Sequence, residues 1–270
     1  MSAPTDTDAS TLRLGLRENI AQFSLLVGVN ALVGGMIGQE RTVLPLLATD
    51  EFGLTAFTAT LTFIAAFGIV KAATNFFAGT LSDRHGRKPV LIAGWLIGLP
   101  VPLLLMWAPT WGWVVFANVL LGVNQGLTWS TTVIMKIDLV GPAKRGFAMG
   151  LNEAAGYGAV AVTALATGYI AQQWGLRPAA FFLGLAYAGL GLGISVLFVR
   201  ETRAHARHEA ANHVTTNDGV TTIVDNPTEF PDPSTIESVK QPFIKASILV
   251  PEKLIGAVIR LCQSSRAAQV

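Results

Sequence analysis

Two ionisable side chains stand deep inside long apolar stretches, where a charge is costly to bury. Lys71 lies in the stretch 52–78 and Glu153 in the stretch 147–171. In a lipid bilayer a charge at a helix centre costs ~3 kcal/mol on insertion scales, so its presence is by default a sign of function. Glu153 is therefore a candidate proton site or cation-binding group, and Lys71 is its counter-charge or an anion contact. The alternative is that Lys71 reaches the membrane surface or pairs with Glu153 as a structural lock.

Three amides in other apolar stretches offer hydrogen bonds without a charge, because an amide both donates and accepts. Asn30 and Asn124 close two similar phrases, LLVGVN and VLLGVN, and Gln125 follows the second. In helices that rise 1.5 Å per residue, Asn30 would lie ~15 Å and Asn124 ~20 Å from the helix start, near the bilayer midplane. These amides are candidate solute contacts. The alternative is that they only join helices to one another.

The elements that must position these residues are predicted to be membrane helices. Of the 270 residues, 51% are hydrophobic and only 13% are charged, which is far from the composition of a soluble domain. A helix needs about 20 mostly apolar residues to cross the bilayer core. Six segments qualify: 20–47, 52–78, 89–108, 111–135, 147–171 and 178–199. The sequence therefore predicts an all-α integral membrane protein with a six-helix transmembrane domain over 20–199.

Lys and Arg in the short connections predict the orientation, because basic loops stay on the cytoplasmic side. Basic residues precede the first span and follow the second, fourth and sixth, whereas the other connections carry little positive charge. The prediction is a multi-pass protein of the cell membrane with both termini in the cytoplasm. Residues 1–19 lack the features of a cleaved signal, so they are predicted to form a cytoplasmic segment that leads into an uncleaved first helix.

The composition changes after the sixth span. Residues 200–245 are rich in Asn, Thr, Asp, Glu and Pro, which predicts a polar cytoplasmic loop. Residues 246–270 are apolar but interrupted by charges and a proline, so they are too short and too charged to span. An irregular tail, an interfacial helix and an out-of-frame stretch are the alternatives for them.

Composition also excludes several functional classes. The net charge is only +2 and the basic residues fall in short clusters, so no nucleic-acid partner is expected. Cys262 is the only cysteine, which excludes an intramolecular disulfide and a multi-cysteine metal site. No nucleophile or acid pair indicates an enzyme, and neither a metal nor a cofactor is predicted.

The hydrophilic gap between the second and third spans is the stretch GTLSDRHGRKPVL, which begins at Gly79. Gly79 would let a neighbouring helix approach closely, and Gly86 would permit a turn that other residues avoid. Asp83 can meet a helix N-terminus or a basic partner, and Arg87 can form a forked pair with a carboxylate. Pro89 suits the first turn of the third helix. Alone, the basic residues of this stretch could simply set the topology.

The full spacing G-x-L-x-D-R-x-G-R-K is much more specific than its basic residues alone. It resembles the signature loop of the major facilitator superfamily of secondary transporters, which it matches at Gly79, Leu81, Asp83, Arg84, Gly86, Arg87 and Lys88. The resemblance covers 20–202 and implies the N-terminal half of such a transporter, six helices arranged as two inverted three-helix repeats. Helices one and four are equivalents in that fold, so the phrases ending at Asn30 and Asn124 could be remnants of a repeat. The alternative is chance, because Leu, Val and Gly are common in any membrane helix.

The resemblance also implies a conformational latch on the cytoplasmic side. Asp83 would face the start of a helix in the other half, and Arg87 would pair with an acid at the end of helix four, where Asp138 stands. Arg145, in the following connection, belongs to the implied latch. An exposed pair contributes only ~0–1 kcal/mol, so its value would lie in biasing one conformation.

Proton coupling is left open by the resemblance. Many proton-coupled relatives carry an arginine in helix four where this chain has Asn118, so proton antiport by the usual arrangement is not implied. A transporter that uses another acid and a uniporter both fit. In either case the predicted pathway residues are Asn30, Lys71, Asn124, Gln125 and Glu153.

Other residues have simpler predicted roles. Glu40 and Arg41, near the outer end of helix one, are predicted gate or interface residues, and Lys136 is predicted to reach the cytoplasmic surface. Small residues are expected to pack helices closely, at Gly34, Gly35, Gly38, Gly150, Ala154, Gly158, Gly184, Gly189, Gly191 and Gly193.

The predicted function is transport of a small solute across the lipid bilayer by alternating access, with a coupling proton as an option. Only one six-helix half is recognisable, so three explanations stay open. The chain could be a truncated product of a longer gene, or a half-size transporter that pairs with itself or with a separate second half. It could also be a membrane scaffold or sensor that keeps the fold without transport.

Overall fold

The computed structural model describes residues 13–224 and 230–241 and divides the chain into two units. The first unit ends at Ala210 and is helical, whereas the second begins at Ala211 and contains strands. The predicted tail over 246–270 lies outside the described residues.

The described part of the first unit is built from α-helices joined by short connections. They are α1 (Ile20–Arg41), α2 (Val43–Asp50), α3 (Ala56–His85), α4 (Arg87–Gly98), α5 (Pro100–Met106), α6 (Trp111–Val140), α7 (Arg145–Trp174), α8 (Phe182–Leu197) and α9 (Arg203–Ala210). Two of the boundaries are interruptions within a longer helical segment. α1 leads directly into α2, and α4 leads directly into α5. The second interruption falls at Pro100, which lacks the N–H that a continuous helix needs.

Five helical segments in the described part are long and apolar enough to cross a membrane. They are Ile20–Asp50, Leu61–His85, Arg87–Met106, Pro142–Trp174 and Ala179–Leu197. These segments correspond to the first, second, third, fifth and sixth predicted spans. The chain is therefore a multi-pass membrane protein, mostly α-helical as predicted.

The predicted fourth span, 111–135, is a helix that falls short in apolarity. α6 has 30 residues and is long enough to span, but its middle carries Asn118, Asn124 and Gln125. These amides lower its mean hydropathy, and all three are buried. α6 can bury them because it packs on α1, α3, α4 and α7 at the centre of the unit.

The most extensive helix packing joins α3 to α6 and α1 to α7. A Cβ atom added at Gly34 of α1 would lie 2.1 Å from the carbonyl oxygen of Gly156 in α7. A Cβ atom at Gly126 of α6 would lie 2.4 Å from the Cβ of Thr74 in α3. Both distances are far below van der Waals contact, so the helix axes approach this closely only because glycine stands at these positions.

The prediction of close glycine packing is right at some positions and wrong at others. A Cβ atom would meet a neighbouring helix at Gly34, Gly35, Gly38, Gly184 and Gly191. It would meet nothing within 4 Å at Gly79, Gly150, Gly158, Gly189 and Gly193. The second group, like the exposed Ala154, lies on helix faces that no other part of the described first unit covers.

The turn in the signature loop is tighter than predicted. α3 continues through the polar residues after Gly79 and ends at His85, and α4 begins at Arg87. Gly86 alone makes the turn, with a φ of 97°, which favours glycine. The helix does not end where the apolar stretch ends, because backbone hydrogen bonding does not depend on side-chain polarity.

The second unit holds a three-stranded antiparallel sheet where the sequence predicts a polar loop over 200–245. Its strands are β1 (Asn212–Thr216), β2 (Thr221–Val224) and β3 (Ile236–Lys240), in the order β2-β1-β3. β1 and β2 form a hairpin in which Gly219 has a φ of 80°. β-branched Thr and Val on both sides of Asn-Asp-Gly are a hairpin signal that the polar composition had masked.

Candidate functional site

Arg87 is the centre of a charged network at the end of the unit where α3, α4, α6 and α8 meet. The residue is only 6% exposed. Its Nε donates to Oδ2 of Asp138 at 3.1 Å, and its Nη1 donates to the carbonyl oxygen of Ser82 at 3.2 Å. Nη1 also lies 2.8 Å from Oδ1 of Asp83. The predicted contact between Arg87 and Asp138 is present, and it is buried.

Glu201 completes this network, although the sequence does not single it out. One carboxylate oxygen accepts from the backbone N–H of Arg87 at 3.0 Å, and the other accepts from that of Lys88 at 3.0 Å. These are the first N–H groups of α4, which have no partner inside the helix. The negative charge also favours the positive end of the helix dipole. Glu201 therefore joins the chain after α8 to the start of α4.

Two further hydrogen bonds close α8 onto the network. The hydroxyl of Thr202 donates to Oδ2 of Asp138 at 2.8 Å, and Nζ of Lys88 donates to the carbonyl oxygen of Val196 at 2.8 Å. Arg145, predicted to belong to the latch, forms an ion pair with Glu209 of α9 instead. Arg84 is exposed and makes none of these contacts.

We call the cluster of Arg87, Asp138 and Glu201 the inner network.

The three predicted pathway amides are fully buried, each 0% exposed, and they join helices. Nδ2 of Asn30 donates to the carbonyl oxygen of Asn152 at 2.7 Å, which ties α1 to α7. Nδ2 of Asn124 donates to the carbonyl oxygen of Gly94 at 2.8 Å, and Nε2 of Gln125 donates to that of Val33 at 2.8 Å. This geometry matches the joining role that the sequence left as an alternative.

Lys71 and Glu153 meet on the indole of Trp129 rather than on each other. Nζ of Lys71 lies 4.6 Å from the ring centroid of Trp129, in a cation–π contact. Oε1 of Glu153 accepts from Nε1 of Trp129 at 2.9 Å and from Nδ2 of Asn152 at 3.0 Å. The Tyr157 ring lies 5.3 Å from Trp129, centroid to centroid. We call Lys71, Trp129, Glu153 and Tyr157 the indole cluster.

The alternative in which Lys71 pairs directly with Glu153 as a structural lock is therefore not what the structure contains. None of the ion pairs within 4.0 Å in the described part of the chain joins these two residues. The indole lies between them, since its face takes the cation and its N–H takes the carboxylate. A pattern of charged residues alone does not reveal an aromatic side chain in this position, so Trp129 was missed.

Lys136 is a further correction. The sequence predicted that it reaches the cytoplasmic surface, but it is 0% exposed. Its Nζ donates to the carbonyl oxygen of Leu26 in α1 at 3.1 Å. Glu153 is close enough to attract the ammonium groups of both Lys136 and Lys71. Lys136 is buried because α1 and α7 both pack on α6.

Glu40 is a buried carboxyl group, as Asp138 is. It is 2% exposed, and its side chain interacts with that of Asn118, itself 1% exposed. Arg41 contributes a nearby positive charge. Glu40 is therefore a core residue of α1, whereas the sequence predicted a gate or an interface position. In the described residues no group of three or more His, Cys, Asp or Glu side chains could hold a metal ion.

Comparisons with known proteins give two kinds of match, one to a family model and one to curated proteins. Residues 23–261 match the model of the Major Facilitator Superfamily. A short stretch is 62% identical over 52 residues to elongation factor 4 of Desulfotalea psychrophila, 58% over 50 residues to elongation factor 4 2 of Rhodopirellula baltica, and 48% over 54 residues to elongation factor 4 of Shouchella clausii. These stretches cover 19%, 18% and 20% of this chain but only 9%, 8% and 9% of the relatives. The chain thus spans less than a tenth of the length of these curated relatives.

Proposed function

Because the chain belongs to the Major Facilitator Superfamily, we propose that its first unit carries a small solute across the cell membrane by alternating access. The observation that carries the proposal is the indole cluster. Lys71 and Glu153 are only partly buried in the middle of apolar helices, where lipid is a poor neighbour for either charge. A water-filled path on this face would solvate both.

Uneven burial of the helices supports a path on the face of α3 and α7. In their apolar windows only 17% and 22% of residues are buried within the unit, against 50% for α1. The same face carries the exposed Asn75 and Tyr157 beside Lys71. We propose that a second six-helix unit, from another copy or a separate chain, packs on this face and leaves the path between the two.

The packing pattern supports two inverted three-helix repeats in which α6 would be the fourth span. In such repeats α1 is equivalent to α6, α3 to α7, and α4 to α8. The contact of α1 with α7 is then equivalent to the contact of α6 with α3. These are the two most extensive contacts in the unit. The α4–α6 and α1–α8 contacts form a second equivalent pair. Such an exchange is expected of repeats built on one plan.

The inner network is proposed to act as the latch. It joins the inner ends of four spans, and Asp83 at its edge has a side chain that is 69% exposed. Asp83 is thus accessible to a helix N-terminus of the second unit, while Arg87 and Asp138 are not. The proposal places this network and both termini in the cytoplasm, because the basic connections lie on that side.

The path can be tested with single cysteines, since Cys262 is the chain's only native cysteine. In a Cys262→Ser background, a cysteine at Ala154 or Gly158 on the open face of α7 should react with a charged, membrane-impermeant thiol reagent. The matched control is Leu190→Cys, an exposed position on α8 that we assign to lipid. Equal inertness at all three positions would contradict a water-filled path and favour a scaffold or sensor role.

We also propose that the segment similar to elongation factor 4 lies in the second unit. The second unit, Ala211–Val270, is long enough for a match of 50 to 54 residues and contains strands, whereas the first unit is helical. Residues after 246 would then belong to that segment and would not be an out-of-frame tail. Deleting 211–270 should leave membrane insertion and the cysteine accessibility pattern unchanged. Loss of insertion would show that the second unit is part of the transporter fold.

A further inference from the structure

We infer that the indole cluster selects small organic anions, with the anionic group of the solute on the ammonium of Lys71 and its apolar body against Tyr157. This inference rests on the proposed function, because it names the chemical class of the solute for the same site. It is carried by the partners of Lys71 and Glu153, by the charges around them and by the open space beside them.

The ammonium of Lys71 is the unsatisfied group of the cluster. It can donate three hydrogen bonds, yet its contacts in the described part of the chain are the faces of Trp129 and Phe67, at 4.6 and 5.7 Å from the ring centroids. An aromatic face attracts a cation but offers no lone pair comparable to a carboxylate oxygen. The side chain is partly exposed, so an incoming acceptor can reach it.

Glu153 is already satisfied on the side that faces the cluster. Its Oε1 accepts from both Trp129 and Asn152, at 2.9 and 3.0 Å. A cationic solute would have to compete with these donors and would meet the positive charge of Lys71. An anionic solute meets the opposite situation. The ammonium of Lys71 has no hydrogen-bond acceptor in the described part of the chain, and one oxygen of the nearby carboxylate already accepts two hydrogen bonds.

The charges around the cluster point in the same direction. In their ordinary protonation states Lys71 and Lys136 are two cations that share the attraction of the single carboxylate of Glu153. The positive charge of Arg41 also acts on Lys71. Three basic side chains, Lys71, Lys136 and Arg41, therefore act around the cluster beside the carboxyl groups of Glu153 and Glu40. This excess of basic groups favours an anionic solute over a cationic one.

Small residues leave room for the body of the solute. Gly68, one turn before Lys71 on α3, and Gly158, next to Tyr157 on α7, have nothing within 4 Å of an added Cβ. The Tyr157 side chain is 59% exposed, so its ring can receive a planar apolar group. A small carboxylate with an aromatic or apolar body fits these features.

The test compares benzoate, benzylamine and benzamide as probes of the same size and different charge. Binding of each radiolabelled probe to the purified full chain in lipid nanodiscs is measured by scintillation proximity. Benzoate should bind at least about tenfold more tightly than either of the others, as expected for one charge-assisted hydrogen bond. Tighter binding of benzylamine, or equal binding of all three, would overturn the inference. So would the absence of binding by all three.

Variants locate the site once benzoate binds. Lys71→Met should weaken benzoate binding about tenfold or more, and Lys71→Arg should retain most of it. The matched control is Lys144→Ala, an exposed cation in the turn before α7, which should leave binding unchanged. Unchanged binding in Lys71→Met would overturn the inference, because benzoate would then be held elsewhere.

Failure of the inference and failure of the proposed function give different results. If benzoate binds selectively and depends on Lys71 while the cysteines on α7 do not react, the anion site is supported and the water-filled path is contradicted. If the cysteines on α7 react but benzylamine binds more tightly than benzoate, the water-filled path is supported and the anion site is contradicted.

Discussion

The inner network and the indole cluster are both built around a basic side chain, but they satisfy it in opposite ways. Arg87 has two carboxylates and a backbone carbonyl oxygen, all within 3.2 Å of its guanidinium. Lys71 has two aromatic faces and, in the described residues, no acceptor. A buried cation with a full set of partners holds helices together, whereas a partly exposed cation without acceptors is a place where a ligand can complete the set.

The guanidinium and the ammonium suit these two tasks. Arg87 presents donors in several directions from a rigid plane, so one residue can join the ends of α3 and α6. The ammonium of Lys71 is a point charge on a flexible stem that can follow a moving solute. The comparison leads to different expectations for substitutions in the two regions.

The largest effect is expected from Asp138→Ala in the inner network. The side chains of Arg87 and Asp138 are only 7% and 8% exposed, so the substitution leaves a buried guanidinium without its main partner. Breaking a buried pair from one side costs about 3 kcal/mol or more of unfolding free energy. Denaturant unfolding of the detergent-purified chain measures it. Asp83→Ala removes the exposed acid of the same arginine and should cost less than about 1 kcal/mol; equal losses would show that the burial of Asp138 does not matter.

A smaller loss is expected from Glu201→Ala. The substitution leaves the first two N–H groups of α4 without their acceptor and removes a favourable charge at the helix N-terminus. Together these contributions amount to about 1–2 kcal/mol. The same unfolding measurement applies, with Glu209→Ala as the control, since its pair with Arg145 is partly exposed. If the control lost as much as Glu201→Ala, helix capping would not be the reason.

For Lys71→Met we expect the opposite sign or no change in stability. The substitution removes a charge that has no acceptor in the described chain and keeps an unbranched side chain of similar length, so unfolding free energy should stay constant or rise by up to about 1 kcal/mol. Benzoate binding should weaken about tenfold or more in the same variant. A marked loss of stability would mean that Lys71 is a structural residue like Arg87, and the contrast between the two regions would fail.

The smallest effect is the pH dependence of the unfolding free energy that His205 contributes. His205 lines a cavity of about 550 Å³ with Glu18, Arg200 and Glu201. Burial lowers the pKa of His205 below its usual 6.5, and the charge of His208 acts in the same direction. The unfolded chain therefore takes up this proton first, and unfolding free energy should fall as the pH drops below about 6.5.

The size of this loss should stay below about 1 kcal/mol because His205 is only partly buried. Unfolding at pH 7.5 and 5.5 is compared for the unsubstituted chain and His205→Gln. His85→Gln is the control, and it should keep the full pH dependence. A pH dependence that His205→Gln leaves unchanged would assign it to another group.

Local patterns and long-range contacts differed in how far the sequence could predict them. The Arg87–Asp138 contact followed from the resemblance of the signature loop, and the structure contains it. Glu201 could not be found in this way, because it lies more than 110 residues from the N–H groups that it caps. The β1–β2 hairpin, in contrast, had a local signal in Asn217-Asp218-Gly219, which was outweighed by the polar composition around it.

The sequence by itself determined the apolar helices, the tight turn at Gly86 and the family, because each depends on residues close together in the chain. Tertiary structure alone decided which charges are satisfied. Packing buried Lys136 under α1 and α7, placed Trp129 between Lys71 and Glu153, and left the glycines of one face of α7 uncovered. Burial and hydrogen bonding depend on which helices meet, and that is a property of the whole unit rather than of any one stretch.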